Sequence, residues 1–142
     1  PDTFGQAVRF MDEYPDFTFS QSSAVLYHET EKHHPGLFKQ IGRKVKKGQW
    51  EVVGGRWCEG DTNMVSGEAH VRQLLTGQGY FQDRFGVVSD VGWEPDTFGH
   101  CWTLPQIYRK AGLRYYYFCR AGKGIPLFWW EAPDGSRLLA FE

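Results

Sequence analysis

The sequence has no apolar run approaching the roughly 18 residues of a membrane-spanning helix, so these residues hold no candidate span and no membrane partner is expected. It also lacks a charge excess: 16 Lys plus Arg face 17 Asp plus Glu, a formal net charge of −1. Nucleic acid, whose binding rests on neutralised phosphates, is therefore not a favoured partner. The one basic cluster, Arg43, Lys44, Lys46 and Lys47, is expected on the solvent side of a helix whose apolar face is Leu37, Ile41 and Val45. Cysteine is scarce and odd in number. Cys58, Cys101 and Cys119 have no paired spacing and sit beside aromatic or apolar neighbours, which argues against a disulfide framework or a cysteine zinc site. Buried thiols in a reducing, cytoplasmic setting are expected instead. No signal peptide is visible. An initiator Met is missing too: the chain opens Pro1-Asp2-Thr3 and stops at Phe141-Glu142 after a strand-like run, so a piece of a longer domain, cut at both ends, is expected.

What is abundant is aromatic: 17% of the 142 residues, six of them Trp. Ring faces suit the C–H faces of sugars, but they also fill ordinary cores. The length is that of one domain, enough to bury roughly two thirds of the unfolded surface.

Helical spacing of Phe4, Val8 and Met11 predicts a first helix over 3–14, ended by Pro15. Phe17 to Gln21 alternates as a short strand; Ser22 and Ser23 are then placed to cap a helix to His33, which resumes from Leu37 to Lys47 beyond Pro35. Trp50 to Trp57 reads as a second strand whose Gly54-Gly55 pair marks a close backbone approach or a bulge. Ser66 caps a third helix carrying Val71, Leu74, Leu75, Phe81 and Phe85, weakened by Gly77 and Gly79. A strand from Val87 to Trp93 and a helix with Leu104, Ile107, Tyr108 and Ala111 on one face follow, with Thr103 as N-cap and Gly112 as terminator. Leu113 to Cys119 is another strand, Gly122-Lys123-Gly124 turns the chain, and 126–131 with 137–141 form a hairpin across Ala132-Pro133-Asp134-Gly135. Strands alternating with helices at these intervals imply parallel pairing through crossovers, hence an α/β sheet or part of a barrel. The repeated pentapeptide Pro1 to Gly5 and Pro95 to Gly99 has unmatched flanks and reads as coincidence.

In α/β proteins the loops at the carboxyl ends of strands carry the chemistry. Three such loops here, Ser20 to Ser22, Trp57 to Asn63 and Glu94 to His100, bring Glu59, Asp61, Glu94 and Asp96 over the sheet, and the next strand ends at Arg120. Carboxylates beside a guanidinium, ringed by Trp57, Trp93, Phe98 and Trp102, are what sugar hydrolysis demands: one to attack an oxocarbenium-like centre, one to protonate the leaving oxygen. Taken singly, Asp96 is equally a turn or cap residue, Asp61 likewise, and Glu59 and Glu94 fit surface or ion-pair roles. His28 and His70 read as helix-surface residues. Asp96 and His100 could share a cation, but they straddle a glycine turn, and no three-ligand set is present.

The segments 50–63, Ser66-Gly67-Glu68, Val71-Arg72-Gln73-Leu74-Leu75, Trp93 to Gly99, Leu104 to Ile107 and Lys110-Ala111-Gly112 resemble, in order and over nearly the whole chain, the N-terminal catalytic domain of glycoside hydrolase family 38, the α-mannosidases. The resemblance implies a portion of a seven-stranded β/α barrel, retaining hydrolysis of α-mannosides through a covalent glycosyl-aspartate, and a zinc ion. By position it implies that Asp96 is nucleophile and zinc ligand, that Phe98 lines the sugar subsite, that Arg120 contacts the nucleophile, and that Asp61 and Trp57 lie on the pocket-facing loop. The remaining zinc ligands and the general acid have no counterpart here and are expected elsewhere in the polypeptide, without which these residues should be inactive. A non-catalytic glycan-binding module and a zinc-dependent carbohydrate deacetylase are the alternatives.

Overall fold

The computed structural model of the protein describes residues 2–120 and 124–142. Helix α1 (Asp2–Glu13) buries Phe4, Ala7, Val8 and Met11, the stripe its spacing predicts, and leads to strand β1 (Phe19–Gln21). Helices α2 (Ala24–His33) and α3 (Pro35–Lys46) follow, Pro35 opening the second in the first turn, where its missing N–H costs nothing. Strand β2 (Trp50–Val52), the long helix α4 (Gly67–Phe85), β3 (Val91–Glu94), α5 (Leu104–Lys110) and β4 (Tyr115–Phe118) continue the alternation. Strands β5 (Leu127–Glu131) and β6 (Arg137–Phe141) form the expected antiparallel hairpin. Of the predicted turn at Gly122-Lys123-Gly124, the first two residues lie outside those described.

Among the described residues the strands form two sheets, a parallel pair β1-β2 and a mixed sheet ordered β3-β4-β6-β5 in which β3, β4 and β6 are parallel. This is the predicted α/β arrangement of parallel strands, crossover helices and a terminal hairpin. The first core lies under β1-β2, where Phe4, Tyr27, Ile41, Trp50 and Phe81 meet; Leu74, Leu104, Tyr108, Tyr116 and Leu138 form the second, between α5 and the larger sheet. Polar atoms inside are satisfied in series: Trp50 Nε1 donates to Tyr27 Oη (2.9 Å), which donates to the Gln21 carbonyl (2.9 Å).

Several predicted elements change for identifiable reasons. The second strand stops at Val52, because Gly54 and Gly55 take φ of +81° and +68°, outside the extended region. The Gly54 N–H then bonds the Val91 carbonyl at 2.7 Å, linking one sheet to the other. The third strand begins at Val91 rather than Val87, since the Gln78 amide takes both backbone groups of Ser89, at 2.9 and 2.7 Å. Ser66 caps α4 through the Ala69 N–H, as predicted, but Ser23 does not cap α2. The first N–H groups of α2 are met by the Arg56 and Trp57 carbonyls at 3.0 and 2.9 Å, which releases the Ser23 hydroxyl for another partner. Thr103 makes no side-chain cap either; its hydroxyl lies 3.2 Å from Cys101 Sγ. Lys44 is buried, not solvated, with Nζ 2.6 Å from Asp12. Cys58 and Cys119 are exposed and Cys101 half-buried, so the expected burial of the thiols does not hold. The repeated pentapeptide is helical at Asp2–Gly5 and a turn at Asp96–Gly99.

Gly77 proves to be a requirement of the fold. A Cβ there would lie 2.3 Å from the Arg56 carbonyl carbon, 2.5 Å from the Gly55 oxygen and 2.6 Å from the Trp57 nitrogen, all backbone. Helix α4 thus touches the loop after β2 where the Trp57 N–H bonds the Gln73 carbonyl (2.9 Å). Gly79, two residues on, has nothing within 4 Å of its Cβ position. Gly79→Ala should therefore gain up to about 1 kcal/mol of stability from helix propensity, while Gly77→Ala should lose more than that through a backbone clash, ~1–3 kcal/mol or complete failure to fold. Thermal unfolding of the two variants side by side checks the opposite signs.

Candidate active site

A buried frame underlies the loops at the strand ends. Glu94, the last residue of β3, is 1% exposed, and its Oε1 accepts from Arg56 Nη1 at 2.7 Å and from Tyr108 Oη at 2.9 Å, while Oε2 accepts from Thr97 Oγ1 at 2.7 Å. Arg56 also donates to the Gly60 carbonyl (3.2 Å). One carboxylate thereby fixes the loop after β2, the turn after β3 and helix α5. Burial works against the Arg56 charge, but Tyr108 and Glu94 outweigh it and keep the guanidinium protonated. Burial also pushes the Tyr108 hydroxyl well above its ordinary range, so it serves as a donor.

The loop bearing Asp61 is joined to the turn bearing Asp96. Thr62, fully buried, donates from Oγ1 to the Gly99 carbonyl at 2.6 Å, and Gly99, at φ +103°, leaves no room for a Cβ against Asn63. His70 Nε2 lies 3.1 Å from the Thr62 carbonyl, so that nitrogen carries the proton; Nδ1 is buried with no partner among the described residues. The expectation that His70 is a surface residue is corrected: it is 1% exposed, and burial lowers its pKa.

Above this frame Asp96 is exposed at the carboxyl end of β3. Arg120, just past β4, donates from Nε to Asp96 Oδ1 at 2.5 Å, and its guanidinium lies 4.5 Å from the centre of the Phe98 ring. Phe98 is 71% exposed, an open ring face beside an open carboxylate. Asp96, Phe98 and Arg120 are therefore brought together. Asp61 reaches the same loop cluster, but its Oδ1 accepts from the Asn63 and Met64 N–H groups (2.8 and 3.1 Å), the turn role open to it in the sequence. Trp57 is not brought to Asp96: its ring packs against His28 and Tyr80, centroids 5.5 and 5.9 Å away, on the helical side. Trp93 packs tilted against Tyr117, ring centroids 4.6 Å apart, and Tyr117 likewise against Phe141 at 5.2 Å. A cavity of about 700 Å³ opens beside Arg120, lined by His100, Trp102, Tyr116, Trp129 and Trp130 among others.

Glu59 is half-buried and clasped from the end of β1: Ser22 Oγ donates to its Oε2 at 3.0 Å, and its own N–H donates to Ser23 Oγ at 3.1 Å. Among the described residues no group of three or more His, Cys, Asp or Glu could hold a metal ion. Asp96 offers one donor, already facing Arg120, and His100 turns instead to Tyr116, its Nδ1 2.7 Å from the hydroxyl. These residues do not by themselves fit a zinc ion.

Sequence reasoning missed Arg56, Tyr108 and the burial of His70. Signals for two of them existed. Arg56 is a lone charge between glycines and Trp in an apolar stretch, and His70 precedes Leu74, Gly77 and Phe81 on one helical face.

The family model for the glycosyl hydrolases family 38 N-terminal domain matches residues 1–142. The chain is 38% identical over 143 residues to alpha-mannosidase G of Dictyostelium discoideum and 38% identical over 139 residues to human alpha-mannosidase 2C1. Those alignments cover 96% and 94% of this chain, but it spans only 13% of the length of either relative. The crystal structure of an alpha-mannosidase from Enterococcus faecalis superposes with a TM-score of 0.86 at 21% identity, covering 99% of this chain and 17% of that one, a likeness of fold.

Two outcomes test the frame. Glu94→Gln leaves Arg56 buried without its counter-charge and should cost ~3–5 kcal/mol, read as a fall in the unfolding midpoint with denaturant slope unchanged. His70, held neutral when folded, binds fewer protons than in the unfolded chain, so stability should fall as pH drops through about 6.5, the unfolded value. Denaturant titrations at about pH 8 and pH 5 should show a smaller pH loss in His70→Gln, whose amide can replace the donor but not the titrating ring.

Proposed function

Because this chain belongs to glycoside hydrolase family 38, as part of its N-terminal domain, we propose that the complete protein is a retaining α-mannosidase with Asp96 as its nucleophile. The observation that carries the reading is the open carboxylate of Asp96 at a strand end, aligned by Arg120, with the bare face of Phe98 alongside. Arg120 engages Oδ1 and leaves Oδ2 to attack the anomeric carbon. As the new carbon–oxygen bond forms, the glycosidic bond breaks and its oxygen leaves with a proton from a carboxylic acid contributed by residues outside 1–142. Water then attacks the glycosyl-aspartate, giving up its proton to that same group, and Asp96 departs as a carboxylate. Two inversions at one carbon amount to retention.

Phe98 and Arg120 are the residues we assign to the sugar. Asp61 supports the loop from beneath, and the packing of Trp57 on His28 and Tyr80 favours a place behind the site. The parallel strands, joined across the sheets by the Gly54–Val91 bond, are read as an arc of the seven-stranded barrel. A zinc ion would find one ligand here, Asp96, and the rest outside the span; when bound it would polarise hydroxyls of the sugar. The family match weighs against the glycan-binding module and the deacetylase.

In the full-length protein, Asp96→Asn should lower kcat/KM on an aryl α-mannoside by on the order of 10³-fold or more with unfolding unchanged, and loss of less than about tenfold would overturn the assignment. Proton NMR of the wild-type reaction should show α-mannose as the first product; β-mannose first would overturn retention.

A further inference from the structure

Glu59 stands in a setting that a loop carboxylate does not need. Its neighbour Ser23 has φ +62°, the one non-glycine residue among those described in the left-handed region. A serine held there stores strain that the surroundings must impose. The strain is not spent on capping α2, whose N–H groups are met by the Arg56 and Trp57 carbonyls. It turns the Ser23 hydroxyl onto the Glu59 N–H (3.1 Å), while Ser22, 5% exposed, gives its hydroxyl to Glu59 Oε2 (3.0 Å). Ser22 is itself seated against Gly54, where a Cβ would come within 3.1 Å of its own. Two successive serines at the end of β1 thus grip one residue of the loop after β2.

The grip anchors the loop after β2, which Thr62 ties to the turn bearing Asp96 through the Gly99 carbonyl. Gly60, the next residue, is held by Arg56, whose guanidinium binds Glu94 two positions before Asp96. Glu59 therefore lies in the loop pinned between β1 and the turn that bears the nucleophile. Its Oε1 has no hydrogen-bond donor among the described residues. Burial raises the Glu59 carboxyl above the ordinary range, Ser22 opposes this, and the nearby Glu94 and Asp96 charges raise it further while Arg56 lowers it.

We propose that Glu59 is a second sugar-binding carboxylate, accepting through Oε1 a hydrogen bond from a hydroxyl of the mannoside held at Asp96. The proposal rests on the α-mannosidase reading and adds a contact that orients the ring. An ionised acceptor bonding a hydroxyl in a half-buried site discriminates strongly against a sugar lacking that hydroxyl.

The test uses the full-length protein, an aryl α-mannoside and its four monodeoxy analogues at C2, C3, C4 and C6. Glu59→Gln should lower kcat/KM on the parent roughly ten- to hundredfold, and the penalty should shrink to under about threefold on one analogue, the one lacking the hydroxyl in question. An equal penalty on all five substrates would mark a structural role and overturn the proposal. If Glu59→Gln fails to fold, Ser22→Ala, which releases Oε2, should show a smaller penalty with the same single-hydroxyl selectivity; uniform loss there overturns it too. Wild-type protein inactive on every mannoside defeats the underlying reading as well, whereas an active, Asp96-dependent enzyme with uniform Glu59 penalties defeats only this one.

Discussion

The ion pair between Arg56 and Glu94 is the constraint around which the loop face bearing Asp96 is built. Both groups are nearly dry, at 4% and 1% exposure, and each would be costly to bury alone. Together with Tyr108 and Thr97 they satisfy one another, and in doing so they tie the segment after β2 to the end of β3 and to α5. Nothing in that cluster needs to touch a substrate. Its effect is to remove freedom from the two loops above it, so that Asp96, itself exposed, is presented from a rigid base.

The glycines after β2 belong to the same constraint. Gly54 and Gly55 turn the chain into conformations that side chains resist, Gly77 lets α4 approach the resulting loop to backbone contact, and Gly99 yields space to Asn63. Each makes room for a close approach that brings Arg56 or Thr62 to its partner. The energetics are divided accordingly, with apolar packing in two cores below and a small number of desolvated polar contacts above.

Much of the architecture was legible in the residues because local signals agreed with the tertiary outcome. The stripe Phe4, Val8, Met11, the Ser66 cap and the Pro-Asp-Gly turn of the hairpin each need only near neighbours to act. The failures are long-range. Ser23 has the chemistry of a cap, yet the carbonyls that displaced it come from Arg56 and Trp57, more than thirty positions away. Val87 and Val88 have strand character, but the Gln78 side chain claimed the backbone between them and β3. Of the candidate site, the family likeness singled out Asp96, Phe98 and Arg120, and these three side chains lie together. Trp57, assigned by its place in a loop, has its ring packed on helices instead, because loop membership does not fix the direction of a side chain.

The residues Asp-Thr-Phe-Gly occur twice, once inside α1 and once at the turn after β3 that bears Asp96. In the first copy Phe4 is buried in a core and the glycine lies within a helix; in the second Phe98 is bare and Gly99 stands at φ +103°. The same short word thus carries two meanings, and its grammar lies in the distant Thr62 and Asn63 that bracket only the second. Transplanting the tetrapeptide into another scaffold would accordingly carry over its spelling and leave its shape behind.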